Sequence, residues 1–143
     1  MKILFLCTGI NSCRSLMAEA FLQKTDQSLE IFSAGVNPDV ENDQMAIKVM
    51  GEIGIDINNK FPKSFHEFEG ISVDYLITIC DGTTEKIPSV NIHANHKIHL
   101  GFDDPKKAYC SDEQVIDIYR DIRDEIQNEL DYFYTHILMP DKH

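Results

Sequence analysis

The chain has 143 residues, of which 43% are apolar, so residues 1–143 are predicted to form a single domain with its own hydrophobic core. Its formal net charge of −11 disfavours nucleic acid and anionic membrane surfaces as partners. No apolar run approaches the ~18 residues of a membrane-spanning helix, and residues 1–6 lack the pattern of a signal peptide. We therefore expect a cytoplasmic protein, and we expect it to be a monomer.

The apolar pattern predicts strands that alternate with helices along the chain. Short apolar runs predict strands at residues 2–6, 29–33, 73–79 and 97–100. Helical spacing predicts a helix over 15–24 with Ser15 as its N-cap, a second helix from Asn42 or Asp43 that ends before Gly54, and a helical turn at 65–68. A capping-box pattern at Ser111 and Gln114 precedes a long C-terminal helix. Its apolar stripe consists of Val115, Ile118, Ile122, Ile126, Leu130, Phe133 and Ile137. This alternation is typical of an α/β fold in which helices cover both faces of a parallel sheet.

The loop after the first strand has the composition of an anion-binding site. Between Cys7 and Arg14 it contains Thr8, Gly9, Ile10, Asn11, Ser12 and Cys13, and Ser15 follows Arg14. Ligands of open α/β sheets bind at the carboxyl ends of strands, where backbone N–H groups and a helix N-terminus attract a phosphate-like anion. The same field lowers the pKa of a cysteine, so Cys7 is a candidate nucleophile. Arg14 offers a planar fork for two anion oxygens, and Ser15 a hydroxyl for the thiolate. An isolated buried cysteine is more often inert packing.

The remaining thiols and histidines do not indicate a metal site. The cysteines are Cys7, Cys13, Cys80 and Cys110, which we interpret as thiols for chemistry or packing rather than as a disulfide scaffold. Their spacing does not match a zinc knuckle. The histidines near the fourth strand, His93, His96 and His99, lack a fourth ligand beside them. We expect neither a metal nor a cofactor.

Motifs along nearly the whole chain, in order, resemble those of the low-molecular-weight tyrosine phosphatase superfamily, which includes the thioredoxin-coupled arsenate reductases. They are Phe5-Leu-Cys-Thr-Gly, Asn11-Ser-Cys-Arg-Ser, Met17-Ala-Glu-Ala, Ser33-Ala-Gly, Gly54-Ile-Asp-Ile, the strand ending at Cys80, and Gly101-Phe-Asp-Asp-Pro105. The resemblance implies a three-layer sandwich whose four-stranded parallel sheet has the order 2-1-3-4. It also implies that Asp104, in its Asp-Pro pair, is the general acid, with Asp103 the weaker candidate. Without the resemblance, Asp-Asp-Pro would be interpreted as a turn.

One departure from the family concerns the length of the anion loop. The family has five residues between cysteine and arginine, whereas six separate Cys7 from Arg14, and the simplest alignment makes Ile10 the extra residue. Either Ile10 bulges outward and leaves the anion cradle intact, or the cradle is changed and the protein is a catalytically impaired anion-binding protein.

The residues after Pro105 resemble the reductases more than the phosphatases. Lys106-Lys107-Ala108 stands where the phosphatases usually have tyrosines. In the reductases a first cysteine attacks arsenate, a second attacks the first sulfur and releases arsenite, and a third passes the disulfide to thioredoxin. Cys7 and Cys80 match the first two, but Ile87 occupies the third position. Cys110 is an alternative third thiol; otherwise a thioredoxin, a glutaredoxin or a low-molecular-weight thiol reduces the protein directly. Cys80 on its own would be packing, and Cys13 is either a disulfide partner of Cys7 or a loop residue.

The leading interpretation is therefore an arsenate reductase-like enzyme that acts on a small oxyanion. The alternative is a low-molecular-weight protein tyrosine phosphatase that hydrolyses phosphate monoesters through a phosphocysteine, with Cys80 structural. The resemblance further implies a potassium site with ligands at Asn11, Glu19, Ser33 and a carboxylate position near Lys63. Because that position holds a lysine, we expect the Lys63 ammonium to replace the ion and to pair with Glu19.

Overall fold

The structure, a computed structural model, describes residues 1–7, 13–35, 43–60, 63–80, 91–102 and 112–141, with backbone alone at Cys13, Cys80 and Asp112. The strands are β1 (Lys2–Cys7), β2 (Glu30–Gly35), β3 (Ser72–Cys80) and β4 (His93–Gly101). The α-helices are α1 (Cys13–Thr25), α2 (Gln44–Gly51) and α3 (Asp112–Phe133), and a 3-10 helix spans Phe65–Phe68. After α3 the chain continues through a π-helical turn, Tyr134–Leu138, and a last helical turn, Met139–Asp141.

The four strands form one parallel sheet in the order β2-β1-β3-β4, which confirms the predicted order. Cys7 at the end of β1 is in register with Gly35 of β2 and with Ile79 of β3. The carboxyl ends of three neighbouring strands therefore meet at Cys7. β4 begins at His93, earlier than predicted. β4 is an edge strand, and many of its side chains remain at least partly exposed, so it does not need the apolar pattern that marks a buried strand.

Alternate residues of β1 point to opposite faces of the sheet, and each face has its own core. Ile3 and Phe5 belong to the larger core, to which α1, α2 and α3 contribute. Leu4 and Leu6 belong to a smaller core with Phe65 of the 3-10 helix. Helical segments therefore cover both faces, as the sequence predicted. The helical turn predicted at residues 65–68 is also confirmed.

Two predicted helix ends differ from the observed ones. α1 begins at Cys13, so Ser15 lies inside the first turn and is fully buried rather than an N-cap. A serine just before an apolar run fits either position, and the sequence pattern alone does not separate them. α2 has Asp43 as its N-cap, as predicted, but its last helical residue is Gly51 and its C-cap is Glu52. Gly54 adopts a positive φ of 81° in the turn that follows, a conformation that glycine tolerates best.

The C-terminal helix buries much of the predicted stripe. Ile122, Ile126, Leu130 and Phe133 are buried, whereas Ile137 is only half-buried. The π-helical turn at Tyr134–Leu138 adds one residue to the local repeat, so Leu138 takes the buried position instead. The predicted cap Ser111 lies outside the described residues. Within the described ranges, no helix is long and apolar enough to cross a membrane.

Candidate active site

Cys7 is the last residue of the central strand β1 and is fully buried. Helix α1 begins six residues later, so the loop between them connects a strand end to a helix start. Five of the predicted oxyanion-binding residues lie outside the described part of the chain: Thr8, Gly9, Ile10, Asn11 and Ser12. Cys13 is described by its backbone, at the first position of α1.

Arg14 lies against the Cys7 thiol in spite of the long loop. Its Nη2 donates to Cys7 Sγ at 3.3 Å, and its Nη1 donates to the carbonyl oxygen of Phe102 at 2.7 Å. The side chain is fully buried. The guanidinium stays protonated in proteins, and a cation at this distance from sulfur favours the thiolate form. Two of the predicted site residues, Cys7 and Arg14, are thus brought together.

The contact with Phe102 joins the predicted nucleophile to the segment that carries the predicted acid. Phe102 follows β4 directly and is buried in the larger core, so its carbonyl is held in place. The next residues in the chain, Asp103 and Asp104, lie outside the described residues. Arg14 therefore bonds both to the strand end that bears Cys7 and to the residue that precedes the Asp103-Asp104 pair.

Cys80 ends β3 beside β1. Its neighbour Ile79 is in register with Cys7, and Cys80 itself pairs with Gly101 of β4. Ideal strand spacing and rise place the Cα atoms of Cys7 and Cys80 about 6 Å apart. A disulfide needs this spacing and also Cβ atoms that face each other, whereas positions one step out of register on neighbouring strands belong to opposite faces of a sheet. The other residues predicted for the relay, Ile87 and Cys110, lie outside the described residues.

Glu19, in the second turn of α1, belongs to a charged cluster whose lysine is not the predicted one. Glu19 Oε2 accepts a hydrogen bond from Ser33 Oγ at 2.5 Å, and Glu19 Oε1 lies 3.3 Å from the ammonium of Lys60. The predicted partner Lys63 was therefore wrong. The backbone carbonyl oxygen of Lys63 accepts a hydrogen bond from the Gly35 N–H at 2.8 Å. That bond fixes the Lys63 backbone at the end of β2, while the preceding turn brings Lys60 to Glu19.

Two of the three histidines of β4 have other partners. His99 Nδ1 lies 2.9 Å from Thr78 Oγ1, and the His96 ring stacks on Tyr75 with 4.7 Å between centroids. Tyr75 in turn donates to Asp141 at 2.7 Å, and burial together with this carboxylate raises the pKa of Tyr75 to about 12. Among the described residues, no three His, Cys, Asp or Glu side chains converge as a metal site.

Sequence reasoning missed two contributors to the site. The Phe102 carbonyl carries no side-chain signal, although its residue lies inside the motif at 101–105. Lys60 lies in a polar stretch, Asn58-Asn59-Lys60, whose residues show no periodicity. Its pairing depends on how the chain folds back after α2, so no sequence pattern marked it.

Comparison with known proteins places the chain in a family. A family model for low molecular weight phosphotyrosine protein phosphatase matches residues 2–140. An arsenate reductase of Bacillus subtilis (strain 168) is 37% identical over 132 residues, covering 92% of this chain and 93% of its own. A solved structure of an arsenate reductase in the phosphate binding state has a TM-score of 0.77 at 26% identity, covering 95% of this chain and 98% of its own. A low molecular weight protein tyrosine phosphatase from T. tengcongensis shares the fold, with a TM-score of 0.70 at 22% identity over 96% of this chain and 99% of its own. The chain therefore belongs to the low-molecular-weight phosphotyrosine protein phosphatase family, a family of enzymes in which the relatives of this chain include arsenate reductases.

Proposed function

We propose that this chain is an arsenate reductase-like enzyme that binds a small oxyanion in the loop after β1. The observation that carries the proposal is the contact of Arg14 Nη2 with Cys7 Sγ at 3.3 Å, where the central strand ends and α1 begins. A buried cation beside a cysteine at this position suits both a thiolate nucleophile and a tetrahedral anion. The 37% identity to an arsenate reductase over 132 residues supports arsenate as the anion.

In the first step, the Cys7 thiolate attacks the arsenic of arsenate and forms an S–As bond. An oxygen leaves as water, and Asp104 supplies the proton that this oxygen needs. The remaining oxygens are held by the backbone N–H groups of residues 8–15 and by the fork of Arg14. Since Arg14 is anchored to the carbonyl of Phe102, anion binding and the position of the Asp104 segment are linked.

In the second step, the Cys80 thiolate attacks the Cys7 sulfur. The S–As bond breaks and its electron pair stays on arsenic, so arsenic(V) becomes arsenic(III) and leaves as arsenite. The two thiols supply the two electrons and become the Cys7–Cys80 disulfide. An external thiol reductant then returns both cysteines to thiols, because Ile87 stands at the third cysteine position. A thioredoxin, a glutaredoxin or a low-molecular-weight thiol can do this, and Cys110 is the internal alternative.

A second candidate function is hydrolysis of phosphate monoesters, which the match to the phosphatase family model over residues 2–140 favours. Cys7 would attack phosphorus, Asp104 would protonate the leaving oxygen, and water would hydrolyse the phosphocysteine. This route does not need Cys80. For either reaction we propose that residues 1–143 act as one domain, which the one continuous sheet supports, and that the protein is cytoplasmic and monomeric.

Two assays run side by side test the proposal: thiol-dependent release of arsenite, and hydrolysis of an aryl phosphate. Cys7→Ser should abolish both while circular dichroism stays unchanged, because serine is not ionised at neutral pH. Cys80→Ser should stop arsenite release and spare the hydrolysis. Cys110→Ser is its control in a single turnover, because the alternative role of Cys110 begins only after arsenite has left.

The failures of these assays point to different conclusions. If Cys80→Ser reduces both activities equally, Cys80 is structural and the reductase mechanism fails. If the wild type shows neither activity yet binds arsenate or phosphate, the chain is an anion-binding protein. If Cys7→Ser retains wild-type turnover, Cys7 is not the nucleophile.

A further inference from the structure

A lysine ammonium, that of Lys60, contacts the carboxylate of Glu19 in the second turn of α1. The Glu19 side chain is 12% exposed and that of Lys60 is 27% exposed, so this pair is partly shielded from water. Glu19 Oε1 faces the Lys60 ammonium at 3.3 Å, and Glu19 Oε2 accepts from the hydroxyl of Ser33. Both oxygens of the carboxylate are therefore engaged by groups of the chain itself.

These residues do not fit the potassium ion that the family resemblance implies. Two of the implied ligands, Glu19 and Ser33, bond to each other, and the third, Asn11, lies outside the described residues. At the fourth ligand position, where the resemblance implies a carboxylate, the loop carries lysines. A second cation beside Glu19 would be repelled by the Lys60 ammonium, which carries the same unit charge.

The turn that carries Lys60 is held in place by a buried side chain and by its own hydrogen bonds. Ile57 is fully buried and anchors the turn, and the Lys60 N–H donates to the Ile57 carbonyl at 3.1 Å. The N–H of Asn58 donates to the side chain of Asp56 at 2.8 Å. Because the lysine is covalently attached, its contact with Glu19 is intramolecular, whereas a free ion would bind from solution.

We propose that the Lys60 ammonium, in place of a bound potassium ion, is the permanent counter-cation of Glu19, the carboxylate that joins α1 to Ser33 of β2. Glu19 lies on the helix that begins with Cys13 and Arg14, and Ser33 lies on the strand next to Cys7. The proposal does not depend on whether arsenate or a phosphate ester is the substrate.

Thermal unfolding tests this proposal with a matched pair of variants. Lys60→Met removes the ammonium and keeps an unbranched stem, while Lys63→Met makes the same charge change in a residue that lines the same 250 Å³ cavity. The control matters because removing any positive charge adds to the repulsion in a chain of net charge −11. Wild-type Tm should be equal in potassium and sodium chloride at one ionic strength. Lys60→Met should lower the Tm by about 3 °C, the shift expected of a partly buried ion pair in a domain of this size, and Lys63→Met should lower it less.

A double-mutant cycle with Glu19→Gln completes the test, since glutamine keeps an acceptor for Ser33 and loses the charge. When Glu19→Gln is already present, Lys60→Met should lower the Tm no more than Lys63→Met does, because only the general charge effect is left. The proposal is overturned if the wild-type Tm is higher in potassium than in sodium, if Lys60→Met and Lys63→Met behave alike, or if the Lys60→Met effect is unchanged in the Glu19→Gln background. Each of these results is independent of catalytic turnover.

Discussion

Replacing Arg14 by lysine tests whether the fork of the guanidinium, and not its charge alone, builds the site. Arg14 spans two acceptors with two different nitrogens, Phe102 O at 2.7 Å and Cys7 Sγ at 3.3 Å. A lysine ammonium is a single point of charge and does not reproduce the planar fork. At least one charge-assisted hydrogen bond is lost, worth about 1.5–3 kcal/mol. At about 1.4 kcal/mol for each factor of ten, kcat/KM should fall by roughly 10- to 100-fold.

Arg123→Lys is the matched control for that substitution. Arg123 is also buried, and its Nη1 donates to a backbone carbonyl, that of Val49, at 2.8 Å. Both variants should therefore lose stability in thermal unfolding, because each leaves a buried carbonyl with a poorer donor. Only Arg14→Lys should lose turnover in the arsenite-release and aryl phosphate assays. If Arg14→Lys retains wild-type kcat/KM, or if Arg123→Lys loses as much, the interpretation of the Cys7–Arg14–Phe102 contact is wrong.

Three further predictions follow from the loop, the acid and the surface charges. Asp104→Asn should slow aryl phosphate hydrolysis by ~10²-fold or more, the usual size of a general-acid contribution; Asp103→Asn should matter less, and the reverse ranking would show that the acid is misplaced. Deleting Ile10 should restore the five-residue spacing and hold or raise hydrolysis, because Cys7 and Arg14 already meet; loss of fold or activity would make the longer loop a functional feature. Hydrogen bonds from Arg120, supported by Arg123, lower the pKa of Glu52 from its usual 4.5 to about 2. A folded-state pKa below the unfolded one stabilises the protein above pH 4.5, and this stabilisation is lost as the pH falls towards 2. The difference in Tm between wild type and Glu52→Gln should therefore shrink as the pH is lowered through that range, and a constant difference would contradict the assignment.

The sequence by itself determined the class of fold, and it predicted the chemistry of the loop. Buried strands are continuous apolar runs and amphipathic helices repeat at helical spacing, so β1, β3, α2 and the C-terminal helix could be predicted from residue type alone. Cys7 and Arg14 could be predicted as site residues because a cysteine and an arginine on either side of a loop between a strand and a helix are typical of an anion-binding site. The order of the strands came from the resemblance of whole motifs, since periodicity does not state which strand pairs with which.

Tertiary structure alone decided which groups meet across distant parts of the chain. The carbonyl of Phe102 bonds to Arg14 over 88 positions, and a backbone oxygen has no sequence signal. Lys60 pairs with Glu19 over 41 positions because a turn anchored by Ile57 directs it there, whereas alignment had favoured Lys63. The burial of Leu138 in place of Ile137 followed from a π-helical turn, which shifts the repeat by one residue. Periodicity records what each residue does within its own element, but contacts between elements depend on how those elements pack, and that information appears only in the folded chain.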